Sequence, residues 1–221
     1  MAESTTSTLI QPPHRELLTE RLYLRTFRPS DAKAILPILS DRNVMQWTSQ
    51  GVQTDLEQAE RWASTRSLGP SVFNFVVYER SMYNNHPDEA PIIGVIGSFN
   101  APFVGYVFNA DYFGKGYATE AMQGLIQPIF DHFAPKSQND ISYDHIEGWT
   151  DAQNTASRRV LLKSGFTLCE TRIQDFTSIS FNEVRDTAVF RLARPGKSLA
   201  DLGLLPGSTP KEDERPIPPI E

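Results

Sequence analysis

The chain has 221 residues, enough for one domain, and 39% of them are hydrophobic, with 13 Phe, 7 Tyr and 3 Trp to fill a core. Its 21 basic and 27 acidic residues leave a net charge of −6, which argues against general nucleic-acid binding because that needs a basic surface. Cys169 is the single cysteine, so there is no disulfide framework and no thiolate metal cluster; it reads as a small buried hydrophobe in a reducing compartment. No apolar run approaches the roughly eighteen residues of a membrane span. The start, M-A-E-S-T-T-S-T, lacks the basic and apolar parts of a signal peptide. A soluble cytoplasmic protein without a membrane partner is expected.

Residues 1–16 are polar and broken by Pro12-Pro13, the composition of a flexible arm; the domain is expected over 17–194. Leu17 to Arg28 holds Leu22-Tyr23-Leu24-Arg25-Thr26-Phe27, a β-rich first strand. Ser30 is placed to cap a helix with Ala32, Ile35, Leu36 and Leu39 at helical spacing, which Pro37 should kink or end. Thr54 and Glu57 have capping-box spacing before a helix through Leu56, Ala59, Glu60 and Trp62. Phe73–Glu79 and Pro91–Phe99 read as strands joined by a loop, Arg80–Ala90. Phe103–Asn109 is the next strand, and a helix follows from about Gly116, bent late by Pro128. A strand at Ile141–Thr150, a short helix after Asn154, and strands at Phe166–Ile173 and Arg185–Ala193 complete a mixed α/β pattern. Residues 195–221 are rich in Pro and Gly and read as a disordered tail, in which Leu199 to Leu205 is a small apolar patch.

The most informative stretch is Gly105–Gln123. An apolar strand, Tyr106-Val107-Phe108, passes through a loop with Gly114, Lys115 and Gly116 into a helix at Tyr117. The first amides of a helix have no partner within it, and the helix dipole adds partial positive charge there, so this arrangement suits an anion. Lys115 adds a charge and Thr119 a hydroxyl. Gly116 stands where a Walker loop has Ser or Thr, and the third glycine of the dinucleotide fingerprint is missing. Alone, the loop also reads as an ordinary strand-to-helix turn. A second block, N-T-A-S-R-R-V-L-L-K-S-G-F over Asn154–Phe166, reads as a short helix with Asn154 as N-cap and Gly165 as its stop.

Together the two blocks resemble the GNAT superfamily of N-acetyltransferases, whose phosphate loop is Q/R-x-x-G-x-G/A; here it is Phe113-Gly114-Lys115-Gly116-Tyr117-Ala118. Phe113 departs from the pattern and is similar to the branch that acetylates ribosomal-protein N-termini. T-E-R-L-Y-L-R at Thr19–Arg25, Asp31-Ala32, Asn154 with Ser157, and Lys163–Phe166 match that branch too. The resemblance implies a mixed, mostly antiparallel sheet of about seven strands with about four helices. Its two central parallel strands would splay, leaving backbone groups of the Tyr106–Phe108 strand, Val107 and Phe108 foremost, for the pantetheine arm of acetyl-CoA. The pyrophosphate would lie on Phe113, Gly114, Lys115, Gly116, Tyr117, Ala118 and Thr119, and Asn154 would donate to the pantetheine. Acetyl-CoA is the implied co-substrate, no metal is implied, and the partner is an acceptor amine, either a peptide N-terminus or a small amine. Asn43–Gly51 with Trp47, and the helix bearing Trp62, would line the acceptor side; both tryptophans also read as core aromatics.

Acetyl transfer needs a neutral amine, an oxyanion donor and a proton route. Strand alternation puts His145, Glu147 and Trp149 on one face, making Glu147 the first candidate base and Asp151 the second. Many superfamily members carry a tyrosine acid where this chain has Leu161. A thiol with pKa near 8.5 can leave largely as thiolate, so water or Ser157, one turn from Asn154, could suffice, and Ser157 also reads as a capping or core contact. His14, His86, His132 and His145 show no metal or triad spacing. The competing readings are a CoA-binding regulatory module without turnover and a generic α/β nucleotide binder. Nothing separates a monomer from a homodimer.

Overall fold

In the computed structural model, which describes residues 13–135 and 143–205, the apolar runs pair into one eight-stranded sheet. The strands are β1 (Glu16–Leu18), β2 (Leu22–Thr26), β3 (Phe73–Glu79), β4 (Gly94–Asn100), β5 (Phe103–Phe108), β6 (His145–Asp151), β7 (Thr167–Ser178) and β8 (Glu183–Ala193). Their order is β1-β2-β3-β4-β5-β6-β8-β7, and every neighbouring pair is antiparallel except β5 and β6. Strand β3 is buried along nearly its whole length, the pattern of a strand covered on both faces.

Six α-helices supply that cover: α1 (Ala32–Leu39), α2 (Arg42–Met45), α3 (Leu56–Ser67), α4 (Arg80–Asn85), α5 (Tyr117–His132) and α6 (Thr155–Lys163). On one face α5 and α6 bury Met122, Leu125 and Leu161 against Leu24, Phe75, Val104 and Phe190. On the other, α1 and α3 bury Ile35, Leu39, Ala59 and Trp62 with Tyr23, Phe27 and Val76. No helix among the described residues is long and apolar enough to cross a membrane.

The differences from the sequence reading have local causes. The first strand is two, β1 and β2, joined by Thr19-Glu20-Arg21; β1 is too short to show a period. The extra helices α2 and α4 span four and six residues, below the length at which helical spacing is legible. Ser30 does not cap α1: Asp31 occupies the N-cap position, and its carboxylate accepts from the Arg28 amide at 2.9 Å. The box before α3 lies one residue later, with Asp55 accepting from the Gln58 amide at 2.9 Å. The Gln58 side chain answers with a bond from the Thr54 amide at 2.7 Å. Pro37 and Pro128 both lie inside continuous helices, where each removes one i to i−4 bond without ending the helix. The expected strand start at Ile141 and the residues beyond 205 lie outside the described residues, while Leu199 packs at 8% exposure.

Candidate active site

Strands β5 and β6 pair only at Phe103–Glu147 and Val104–Gly148. Past that point β5 keeps its pairing with β4 through Phe108, and β6 keeps its pairing with β8 through Asp151. The facing edges, Gly105–Phe108 and Trp149–Asp151, thus have no ladder partner between them among the described residues. An open edge of this kind accepts an extended chain carrying amides.

Strand β5 leads into the glycine loop. Gly114 and Gly116 have φ of +74° and +83°, a conformation glycine adopts without steric cost, and Gly116 is the N-cap residue of α5. The Phe113 amide donates to Ala110 and the Glu120 amide to Gly116. Between them, the amides of Gly114, Lys115, Gly116, Tyr117, Ala118 and Thr119 have no backbone acceptor among the described residues. A Cβ on Gly114 would meet nothing within 4 Å, so the loop has open space in front of it. Six donors at a helix start fit a diphosphate. Lys115 lies over the Tyr112 ring at 4.6 Å, and Phe113 is half exposed.

Across the opening, Asn154 caps α6 by accepting from the Ser157 amide at 3.0 Å. The Tyr106 hydroxyl lies 2.8 Å from Ser157 Oγ and 3.0 Å from the Ser157 carbonyl, to which it donates. Burial pushes the Tyr106 phenol pKa up, against the lowering effect of Ser157, so the phenol keeps its proton at neutral pH. Leu161 does not face the opening: a Cβ on Gly148 would lie 2.6 Å from Leu161 Cδ2, and Leu161 is buried in the core under α6.

With this geometry in place, the sequence matches the acetyltransferase (GNAT) domain family over residues 21–167. The chain belongs to the GNAT acetyltransferase family. A curated relative, the uncharacterized N-acetyltransferase YnaD of Bacillus subtilis, is 30% identical over 154 residues, 67% of this chain and 81% of that protein. Among solved structures, RimL, a ribosomal-protein α-N-acetyltransferase in complex with coenzyme A, superposes with a TM-score of 0.64 at 19% identity, covering 83% of this chain and all of that one. A ribosomal-protein alanine acetyltransferase from Vibrio fischeri gives 0.62 at 20% identity, covering 83% and 99%. These likenesses show the fold. This chain is an acetyl-CoA-dependent acetyltransferase.

The face of the acetyltransferase sheet opposite α5 and α6 carries the alternate residues of β6. Glu147 is 2% exposed, and three donors hold it: Arg191 Nε at 2.8 Å, Trp149 Nε1 at 2.7 Å and His145 Nε2 at 3.0 Å. Burial alone raises its pKa, but the bonds from His145, Arg191 and Trp149 outweigh that and hold the carboxyl at about 2. Asp151 is likewise buried and paired with Arg185 Nε at 2.8 Å. Trp149 lies between the Phe103 ring, at 4.6 Å, and the Arg172 guanidinium, at 4.5 Å. Trp47, in the loop after α2, packs on Phe181 of the β7–β8 turn at 5.3 Å. Trp62 is a core residue packed edge-on against Phe27.

The residues nominated from sequence therefore fall into two groups. Val107, Phe108, the loop Phe113–Thr119, Asn154 and Ser157 surround one opening, whereas Glu147 lies beneath the opposite face with its oxygens occupied. Sequence reasoning named the Tyr106–Phe108 strand for its backbone but gave the Tyr106 side chain no role, and it did not single out Arg191 or Arg21 as site residues. Arg21 sits in the quoted T-E-R-L-Y-L-R block, so the signal was present without its geometry. Arg191 carried no signal, because its pairing to Glu147 depends on strand register.

Proposed function

We propose that this acetyltransferase acetylates the α-amino group of a peptide or protein. The observation that carries this reading is the state of the carboxylates on β6: Glu147 and Asp151 are each tied to a buried arginine. A carboxylate held at about 2 is a weak proton acceptor, which weighs against Glu147 as a strong general base. An α-amino group with pKa near 8 is about one-tenth neutral at pH 7, while a lysine near 10.4 is neutral only about four times in ten thousand. A site without a strong base favours the first. The names of the two structural neighbours given above, both ribosomal-protein acetyltransferases, point the same way.

Acetyl-CoA supplies the activated acyl group and a thiolate leaving group. The amides of Gly114 to Thr119 hold its diphosphate, and the open edge at Val107 and Phe108 pairs with its amide-bearing arm. Asn154, whose Oδ1 is spent on its own helix, still has its side-chain amide to donate. Ser157 donates to the departing sulfur when the Tyr106 phenol, within reach of both Ser157 oxygens, turns its one proton from the carbonyl to Oγ. A thiol pKa near 8.5 asks little of that donor. Glu147 positions Trp149 and Arg191 under the acceptor rather than abstracting the proton.

The test is free-thiol release with three acceptor sets: peptides with free N-termini, N-blocked peptides containing lysine, and small amines or amino sugars. Turnover is expected on the first set and at least a hundredfold less on the second, following the neutral fractions above. A preference for N-blocked lysine peptides would overturn the reading, and CoA binding without turnover on any set would favour a regulatory module.

A further inference from the structure

The turn between β1 and β2 is fastened beneath the first turn of α5. The Glu120 carboxylate accepts from Thr19 Oγ1 at 2.5 Å, the Arg21 amide at 2.7 Å and Arg21 Nε at 2.7 Å. Gly124 allows the close approach, since a Cβ there would lie 2.8 Å from Thr19 Cγ2. The Arg21 guanidinium then reaches the glycine loop. Its Nη1 donates to the Lys115 carbonyl at 3.0 Å, and the group lies 4.7 Å over the Tyr117 ring. Tyr117 is itself held by Glu79 through its hydroxyl.

A guanidinium has five N–H donors, and two of Arg21's are used in these bonds. Its Nη2 has no hydrogen-bond partner among the described residues and is 3.4 Å from where a Cβ on Gly116 would stand. The fork is thus locked on its Glu120 side and open on the side of the six unpaired amides. Lys115, the cation that the loop sequence advertises, is instead laid over Tyr112, and Phe113 carries no charge.

We propose that Arg21 is a ligand of the nucleotide diphosphate, its Nη2 donating to a non-bridging phosphate oxygen beside the amides of the loop. The proposal rests on the reading that this loop holds the phosphates of CoA. Glu120 stiffens the guanidinium rather than cancelling it, because it takes the Nε edge and leaves Nη2 free. A planar fork held in this way loses little freedom on binding, and a charge-assisted bond to phosphate is stronger than a neutral one.

The experiment measures CoA affinity by calorimetry and, separately, kcat/KM with acetyl-CoA and with S-acetylpantetheine, which lacks the phosphates. Arg21→Gln should weaken CoA binding about ten- to a hundredfold and lower kcat/KM with acetyl-CoA, while kcat/KM with S-acetylpantetheine changes less than twofold. Arg21→Lys, which keeps the charge and loses the fork, should fall between Arg21→Gln and wild type, and it carries the test if Arg21→Gln fails to fold. Equal losses with both donors would mean that Arg21 only braces the fold, and unchanged CoA affinity would mean that it does not touch the phosphates; either overturns the proposal. Wild-type protein that uses S-acetylpantetheine as well as acetyl-CoA would instead sink the assignment of the loop itself.

Discussion

Tyr106 and Ser157 come from different elements 51 residues apart, and two bonds hold them together. The phenol can donate to the Ser157 carbonyl while accepting from Oγ, or donate to Oγ and free the serine proton for another acceptor. Only the second arrangement offers a hydrogen bond to a leaving thiolate, and removing the phenol oxygen leaves the serine hydroxyl free to rotate away. Tyr106→Phe is expected to lower kcat about fivefold, the equivalent of one neutral hydrogen bond of about 1 kcal/mol, with CoA affinity unchanged. Ser157→Ala should do the same, and the double variant should be little worse than either, because the two groups act as one unit. Steady-state kinetics on the four proteins checks this; additive losses would separate the two residues. In the proposed arrangement the hydroxyl comes from Ser157, and Leu161 offers no group to the opening. Its side chain fills the space over Gly148 and faces the core.

At the scale of elements, α3 shows how closely a cap is read and how it is missed. Thr54 and Asp55 are adjacent capping residues, and the spacing to Glu57 favours the first, while the spacing to Gln58 favours the second. The chain uses Asp55, which has the extended backbone of an N-cap, with φ −139° and ψ 167°. Asp55→Ala should cost about 1 kcal/mol and Thr54→Ala distinctly less, since the short Thr54 bond to Gln58, at 2.7 Å, uses its main chain and the one from its hydroxyl is long, at 3.5 Å. Chemical denaturation of the two variants checks the order, and acetyl transfer should be unaffected by either. The splay of β5 and β6 also belongs to this scale. Both strands were legible in the sequence, but the length over which they pair is a property of the whole sheet, set by how β4 and β8 hold their outer edges.

For the whole molecule, the buried pair of Glu147 and Arg191 makes a pH prediction. The Glu147 pKa is lowered from 4.5 to about 2 on folding, so the unfolded chain takes up the proton first. The stabilisation is complete above about 4.5 and is lost as pH falls from there toward 2; it amounts to roughly 3 kcal/mol. Glu120 is shifted in the same direction, with its bonds from Thr19 and Arg21 outweighing burial. Unfolding free energy measured against pH should therefore drop steeply over this window. Glu147→Gln should flatten that limb and lower stability at neutral pH by about 3–5 kcal/mol, because it leaves Arg191 buried without its counter-charge. An acid limb in Glu147→Gln as steep as in the wild type would remove Glu147 as its source.

The sequence by itself determined the features that are local. The glycine loop, the start of α5, the cap at Asn154 and the run of β3 each depend on fewer than about fifteen neighbouring residues, and backbone conformation responds to short windows. The family followed from those windows taken in order. Tertiary structure alone decided which charges meet. Arg21 reaches the Lys115 carbonyl across 94 residues and Arg191 reaches Glu147 across 44, through strand register and helix docking that no local pattern encodes. The same cause gave the two blocks opposite outcomes. The loop's amides stay open because helix geometry leaves them unpaired wherever the helix sits, while Glu147 became an anchored carboxylate because β8 sets an arginine opposite it.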